Sequence, residues 1–245
     1  MRLDKLLSVC GVASRTETAK ACRAGGVTVN GAVVKRPDLQ VDETADCVVF
    51  RGRPVRYRKF VYLLLNKPAG YVSATEDGRD PVVTDLLPEE YRRMGVSPCG
   101  RLDKYTTGLM LLTNNGELSH FLLAPKSHVT KRYRFATELP LTAEIVCALE
   151  AGVNIGDYVT KPCKITLESP DCGVIAITEG KYHQIKRMME TVGNRIAALE
   201  RISFGPLRLD ASLARGEWRE LTEEEIALLQ SGPITQKTEK ESQNT

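Results

Sequence analysis

The stretch Gly100-Arg101-Leu102-Asp103-Lys104-Tyr105-Thr106-Thr107-Gly108 runs into the apolar segment Leu109–Thr113 and then Asn114-Asn115-Gly116. A polar segment enclosed by glycines and leading into an apolar run of strand length predicts a loop at the mouth of a buried strand. Rigid scaffolds commonly present catalytic side chains at such places. Asp103 is flanked by Arg101 and Lys104, and a neighbouring cation keeps a carboxylate ionised, as a nucleophile or base must be. By itself the pattern fits an ordinary turn aspartate better than a catalytic one. Asn114-Asn115-Gly116 predicts a tight turn after the strand.

Toward the C-terminus, Val129, Lys131, Tyr133 and Phe135 alternate as one face of a strand. Tyr133 stands among Lys131, Arg132 and Arg134. In nucleic-acid binders such an aromatic stacks on bases while the cations meet phosphate; elsewhere it is simply a core tyrosine. Leu141–Leu149 predicts a helix, and strands are expected near 163–168 and 173–178. Over 181–193, Ile185, Met188, Met189 and Val192 have helical spacing. That places Tyr182 and Lys186 on one flank, and His183 and Arg187 on a more outward one. Lys186 is then the residue to reach a buried carboxylate and Arg187 the one to meet phosphate; a plain solvated basic face fits the spacing equally. Thr222–Leu229 opens with a cap pattern and predicts another helix. Residues 233–245 lack hydrophobic periodicity and predict a disordered tail.

The charge is unevenly distributed. The chain of 245 residues has a formal net charge of only +3. Counting along it, residues 1–60 hold 12 Lys/Arg against 6 Asp/Glu, a balance of +6, leaving −3 for the rest. A basic front on a near-neutral body is the footprint of a polyanion-binding module. Leu3, Leu6, Leu7 and Cys10 predict a short amphipathic helix ended by Gly11, and Ser14-Arg15-Thr16-Glu17 reads as a capping box opening a second. Val27–Val29 and Ala32–Val34 around Asn30-Gly31 predict a hairpin, with a further strand at Cys47–Phe50 and a basic linker over 51–60. Arg2, Lys5, Arg15, Lys20 and Arg23 are the candidate phosphate contacts.

Composition excludes several classes. The seven cysteines are scattered without a Cys-x-x-Cys pair, and three histidines form no cluster of zinc-ligand spacing. They are expected to be buried free thiols. With no P-loop or GxGxxG motif either, neither a metal nor a cofactor is expected. No apolar run is long enough to span a membrane, and the start reads as a helix rather than a signal peptide. A soluble cytoplasmic monomer without a membrane partner is the expectation.

Taken together, the segments resemble a known family. Gly100-Arg101-Leu102-Asp103-x-x-Thr106-Thr107-Gly108-Leu109-x-Leu111-Leu112-Thr113-Asn114-x-Gly116 closely resembles the catalytic motif of the bacterial ribosomal pseudouridine synthases. Asn66-Lys67-Pro68-x-Gly70-Tyr71-Val72-Ser73, Lys131-Arg132-Tyr133, the Glu179–Met188 segment and Gly216–Thr222 are similar to other segments of that family, in the same order. Arg2–Leu6, Ser14-Arg15 and Gly26–Gly31 resemble the S4 RNA-binding domain. The resemblance implies an α+β protein. A small S4-like domain with its basic linker would occupy 1–58, and a mixed, largely antiparallel-sheet catalytic domain would occupy 59–232. It further implies Asp103 as the essential carboxylate, Tyr133 as the ring stacking on the target base, and Lys186 as the cation paired with Asp103, with Arg101 and Arg187 as further substrate contacts. The implied partner is ribosomal RNA, with 16S as the expected target. The open alternatives are a 23S-directed enzyme of the same family and a non-catalytic S4-type assembly factor. Lys104-Tyr105 departs from the family pattern, where an aliphatic or small residue followed by an acidic or polar one is expected.

The implied reaction is an isomerisation. It breaks N1–C1′ of uridine, turns the base and joins C5 to C1′, so nothing is added from outside. The target must be flipped from its helix and held by stacking. Asp103 would act at C1′, at C6 or on the 2′ proton, and no residue is assigned to the proton leaving C5.

Overall fold

A computed structural model describes residues 1–231, and the tail expected over 233–245 lies outside the described residues. The chain divides into two compact units. One comprises Met1–Val61 with Thr84–Ser97; the other comprises Tyr62–Val83 and Pro98 onward. The boundary expected at residue 58 takes no account of the 84–97 excursion into the first unit.

In the first unit, α1 (Leu3–Val9) and α2 (Arg15–Arg23) pack over a sheet of β1 (Val27–Val29), β2 (Ala32–Val33), β3 (Val48–Phe50) and β4 (Arg53–Val55), ordered β2-β1-β3-β4. Leu3, Leu6, Leu7 and Cys10 form one buried stripe and meet Ala21, Cys22, Val27 and Val48. Ser14 and Glu17 make the reciprocal capping box. Asn30 and Gly31 both take positive φ, 50° and 80°, as a two-residue hairpin requires. The Asn30 side chain also ties this turn to Asp46 and to the Cys47 N–H. One expectation needs correction: residues 53–55 are a strand, not linker. Pro54 is accommodated because β4 is the outer strand, where a missing N–H leaves no gap in the ladder. Segment 84–97 adds α3 (Glu89–Arg93) and leads into the two-residue β6 (Ser97–Pro98), after β5 (Tyr62–Lys67) of the second unit.

The second unit is built on one long sheet. Its remaining strands are β7 (Thr107–Thr113), β8 (Lys131–Thr137), β9 (Lys164–Ser169), β10 (Cys172–Ile177), β11 (Ile196–Phe204), β12 (Leu207–Arg208) and β13 (Trp218–Glu220). The main path runs β13-β5-β7-β11-β8-β10-β9, and β12 pairs with β11. Every neighbouring pair on that path is antiparallel except β7 with β11. This is the mixed, largely antiparallel sheet of an α+β protein. The continuous apolar runs of β5 and β7 are explained by their central position, since all residues from Tyr62 to Lys67 are buried. The parallel contact of β7 with β11 is unusually close. A Cβ on Gly108, at φ +100, would lie 2.3 Å from the Arg201 carbonyl oxygen, so only glycine fits there.

Helices α4 (Gly116–Leu123), α5 (Ala143–Ala151), α6 (Gln184–Thr191) and α7 (Glu223–Gln230) complete the unit. Helix α4 replaces an expected turn: Asn114-Asn115-Gly116 starts a helix, with the Asn115 side chain accepting from the Leu118 N–H at 3.0 Å. Strand β11 has no counterpart in the sequence reading, because its solvated stretch breaks the apolar pattern. All seven cysteines are free, yet Cys47 and Cys147 are exposed, so the thiols are not uniformly buried. Among the described residues no helix is long and apolar enough to cross a membrane. None of their His, Cys, Asp and Glu side chains gather in a group of three or more suited to a metal.

Candidate active site

The loop before β7 and the turn before α6 face each other across an open cleft of about 780 Å³ in the second unit. Its lining includes Arg101, Asp103, Lys131, Tyr133, His183 and Lys186.

The loop is held from several sides. Gly100 takes φ +84, a backbone conformation that residues with a side chain rarely adopt. The Ser73 hydroxyl donates to the Leu102 carbonyl at 2.7 Å and accepts from the Leu102 N–H at 2.9 Å. The Gly70 N–H donates to the Lys104 carbonyl, and Lys104 Nζ pairs with Asp80 at 2.7 Å. Beneath the loop lies Lys67, with no exposed surface. Its ammonium donates to the carbonyl oxygens of Pro68, Asp103, Lys104 and Thr106 at 2.9–3.2 Å. Burial pulls the Lys67 ammonium down to about 8, opposed by the Asp103 carboxylate and reinforced by Arg201 and Lys186. The ammonium has three N–H donors for four carbonyls, so one of them is shared between two oxygens.

This framework leaves the Asp103 carboxylate half-buried at the cleft. Lys186 Nζ meets its Oδ2 at 2.9 Å, and His183 Nε2 lies 3.5 Å from its Oδ1. Lys186 reaches the carboxylate from the first turn of α6, whose Ile185, Met188 and Met189 are buried. His183 departs from the expected outward position. It is not a helical residue but the N-cap of α6, at φ 50° and ψ 30°, and that left-handed backbone turns its ring inward. Tyr182 likewise precedes the helix, exposed and stacked on His183 with centroids 3.9 Å apart. The turn is fixed by buried Gln184, which accepts from the Lys181 N–H and donates to Glu179; Glu179 also accepts from the Tyr158 hydroxyl and the Lys161 N–H.

Tyr133 stands on β8 opposite Arg201 of β11 and Ile175 of β10, so its ring is fixed from both neighbouring strands. Arg101 is exposed at the cleft. Arg187 is not among the residues lining the cleft: its guanidinium is taken by Asp157 and the carbonyls of Ile155 and Tyr182. In the first unit Lys5, Arg15, Lys20 and Arg23 are exposed, whereas Arg2 forms a bidentate pair with buried Asp4.

Residues 61–191 match the RNA pseudouridylate synthase family, and residues 1–47 match the S4 domain. The chain belongs to the RNA pseudouridylate synthase family. It is 48% identical over 234 residues to an uncharacterized RNA pseudouridine synthase, YtzG, of Bacillus subtilis, covering 94% of this chain and 98% of that one. It is 37% identical to the ribosomal small subunit pseudouridine synthase A of Escherichia coli, covering 93% and 99% of the two chains. A crystal structure of a pseudouridylate synthase superposes with a TM-score of 0.65 at 34% identity, over 94% of this chain and 99% of that one. An RNA pseudouridine synthase with an S4 domain acts on RNA, and Asp103 and the cleft loop that carries it lie within the matched span 61–191.

Three residues of this cleft and its support escape sequence reasoning. Periodicity puts His183 on the wrong face because the helix begins three residues later than its spacing suggests. Lys67 stands out only as part of a motif, since a lysine at the end of an apolar strand reads as its solvated terminus. Arg201 is buried on the unexpected strand β11, with Nε donating to the Leu109 carbonyl at 2.7 Å.

Proposed function

We propose that this chain converts a uridine of small-subunit (16S) ribosomal RNA to pseudouridine, with the Asp103 carboxylate as the catalytic group. The observation that carries this reading is the Asp103–Lys186 pair, 2.9 Å apart at the cleft. The ammonium aims the carboxylate at the cleft and is its charge partner, an arrangement that suits each role of Asp103 at the ribose or at C6. Tyr133 presents its ring to the flipped base, Arg101 meets the backbone at the cleft rim, and the S4 domain supplies salt-sensitive phosphate contacts. The small-subunit target is supported by the relatives named for that activity, at 37–40% identity over nearly their whole length.

The test is direct. RNA carrying tritium at C5 of uridine is expected to release label with the wild-type chain and none with Asp103→Asn, while both bind the transcript alike. Label release by Asp103→Asn would overturn the role of Asp103. Mapping pseudouridine in both rRNAs of a deletion strain checks the target: a missing 23S site, with 16S unchanged, refutes the small-subunit assignment.

A further inference from the structure

We propose that His183 carries the proton that the isomerisation moves from C5 to N1 of the base. The inference rests on the proposed uridine isomerisation and assigns the one step for which the motif offers no residue. In uridine C5 bears hydrogen and N1 is bonded to the sugar; in pseudouridine C5 is bonded to the sugar and N1 bears hydrogen. A proton must therefore leave one position and arrive at the other.

The step balances within the base and one imidazole. Breaking N1–C1′ leaves the electron pair on N1. The C5=C6 pair then forms the C5–C1′ bond, while the N1 pair forms C6=N1. C5 now holds both the sugar and its hydrogen. The lone pair of neutral imidazole takes that proton; the C5–H electrons restore C5=C6 and the C6=N1 pair returns to N1. N1 then takes the proton from the imidazolium, which ends neutral as it began. No oxidant, reductant or further reactant is needed.

His183 is built into the place this requires. C1′ and C6 are bonded to C5 at that stage, and C2′ is one bond further. Each role available to Asp103 therefore brings its carboxylate close to C5. His183 Nε2 is 3.5 Å from that carboxylate. Lys186, the other group on it, is an ammonium with no lone pair to accept a proton. Glu179 on the same turn is occupied by three donors. The imidazole meets the Asp103 carboxylate from the loop, which Lys186 of the following helix also meets, and the Tyr182 ring against its face.

Two further features set the position of the imidazole. His183 takes φ +50, in the left-handed region that histidine tolerates, and this turn brings its ring to the Asp103 carboxylate. The ring is also stacked on Tyr182 with an interplanar angle of 15°, which sets its plane.

Single-turnover reactions of the full chain on 16S rRNA, transcribed with ordinary uridine or with deuterium at C5, test the assignment. His183→Asn and His183→Gly should bind the transcript like the wild type but form pseudouridine about 100-fold or more slowly, the usual worth of a positioned acid or base. Both should show a C5 deuterium effect larger than that of the wild type. Glycine suits the left-handed backbone and leaves a ring-sized gap, so added imidazole should restore part of the His183→Gly rate. Wild-type rates in both variants overturn the proposal. So does slowing that is equal for both isotopes and unresponsive to imidazole, which would make His183 only a positioning residue for Asp103. A wild-type chain that forms no pseudouridine in 16S or 23S rRNA overturns the isomerisation reading itself, and this proposal with it.

Discussion

Lys67 holds Asp103 by its main chain: the buried ammonium donates to the Asp103 carbonyl at 3.2 Å, while the carboxylate is left for Lys186 and His183. Backbone placement and side-chain chemistry are thus handled by different residues. Replacing Lys67 with Met, of similar length, leaves four loop carbonyls without their shared donor. The Asp103 and Lys104 carbonyls keep the Thr106 and Gly70 N–H groups, while a buried acceptor left without a donor costs about 1–3 kcal/mol, so a fall of several degrees in Tm is expected. Loss of loop placement should lower kcat about tenfold with transcript affinity little changed. Unchanged Tm and kcat would show that the cage is dispensable.

Lys67 also sets a pH dependence. Its folded pKa of about 8 lies below the ordinary lysine value. Between the two the folded chain binds less proton than the unfolded chain, so this residue's contribution to stability rises with pH across that window and is flat below it. Denaturation curves from about pH 7 to 10.5 should show proton linkage in the wild type. Lys67→Met should lose that component, and an identical slope in the variant would rule it out.

The contact of β7 with β11 predicts an intolerant glycine. Gly108→Ala would place a methyl 2.3 Å from the Arg201 carbonyl oxygen at a φ of +100. Backbone must move, and a loss of about 3–5 kcal/mol is expected from strain plus overpacking. Urea titration measures it, and a loss below about 1 kcal/mol would mean that the two strands separate easily.

At the cleft, Lys186→Met should reduce kcat more than KM, because the ammonium serves the carboxylate. Tyr133→Ala should affect both, since the proposed stacking of its ring would hold the base before and during reaction. Losses of about 100-fold or more in kcat are expected for Lys186→Met. Single-turnover rates against transcript concentration separate the two patterns, and a pure KM effect in Lys186→Met would contradict the pairing role.

Neutralising Lys5, Arg15, Lys20 and Arg23 should weaken binding of structured rRNA while leaving saturated kcat intact. The slope of log K against log salt should become shallower by about 0.7–0.9 for each phosphate that is no longer neutralised. An unchanged slope would place the RNA on another surface.

The elements most legible in sequence are those with local causes. Ser14 and Glu17 announce a capped helix, Asn30-Gly31 a hairpin, and Thr222 with Glu225 the last helix. Strand β11 is illegible because its residues take their environment from β7 and β8 rather than from their own alternation. Helix α4 is hidden because Asn115 serves equally as a turn residue and as a cap, and only the Leu118 N–H that it accepts distinguishes the two.

By itself the sequence offered the two-part organisation and the Asp103 loop, because ordered motifs are local properties, while the pairing of Asp103 with Lys186 came from the family resemblance and spacing alone left it open. Tertiary structure alone decided that His183 faces inward, that Arg187 is captured by Asp157, and that a buried lysine secures the loop. Each depends on where a distant segment lies. The left-handed turn at His183 is fixed by Gln184, Glu179 and Tyr158, and no spacing within the helix encodes that network.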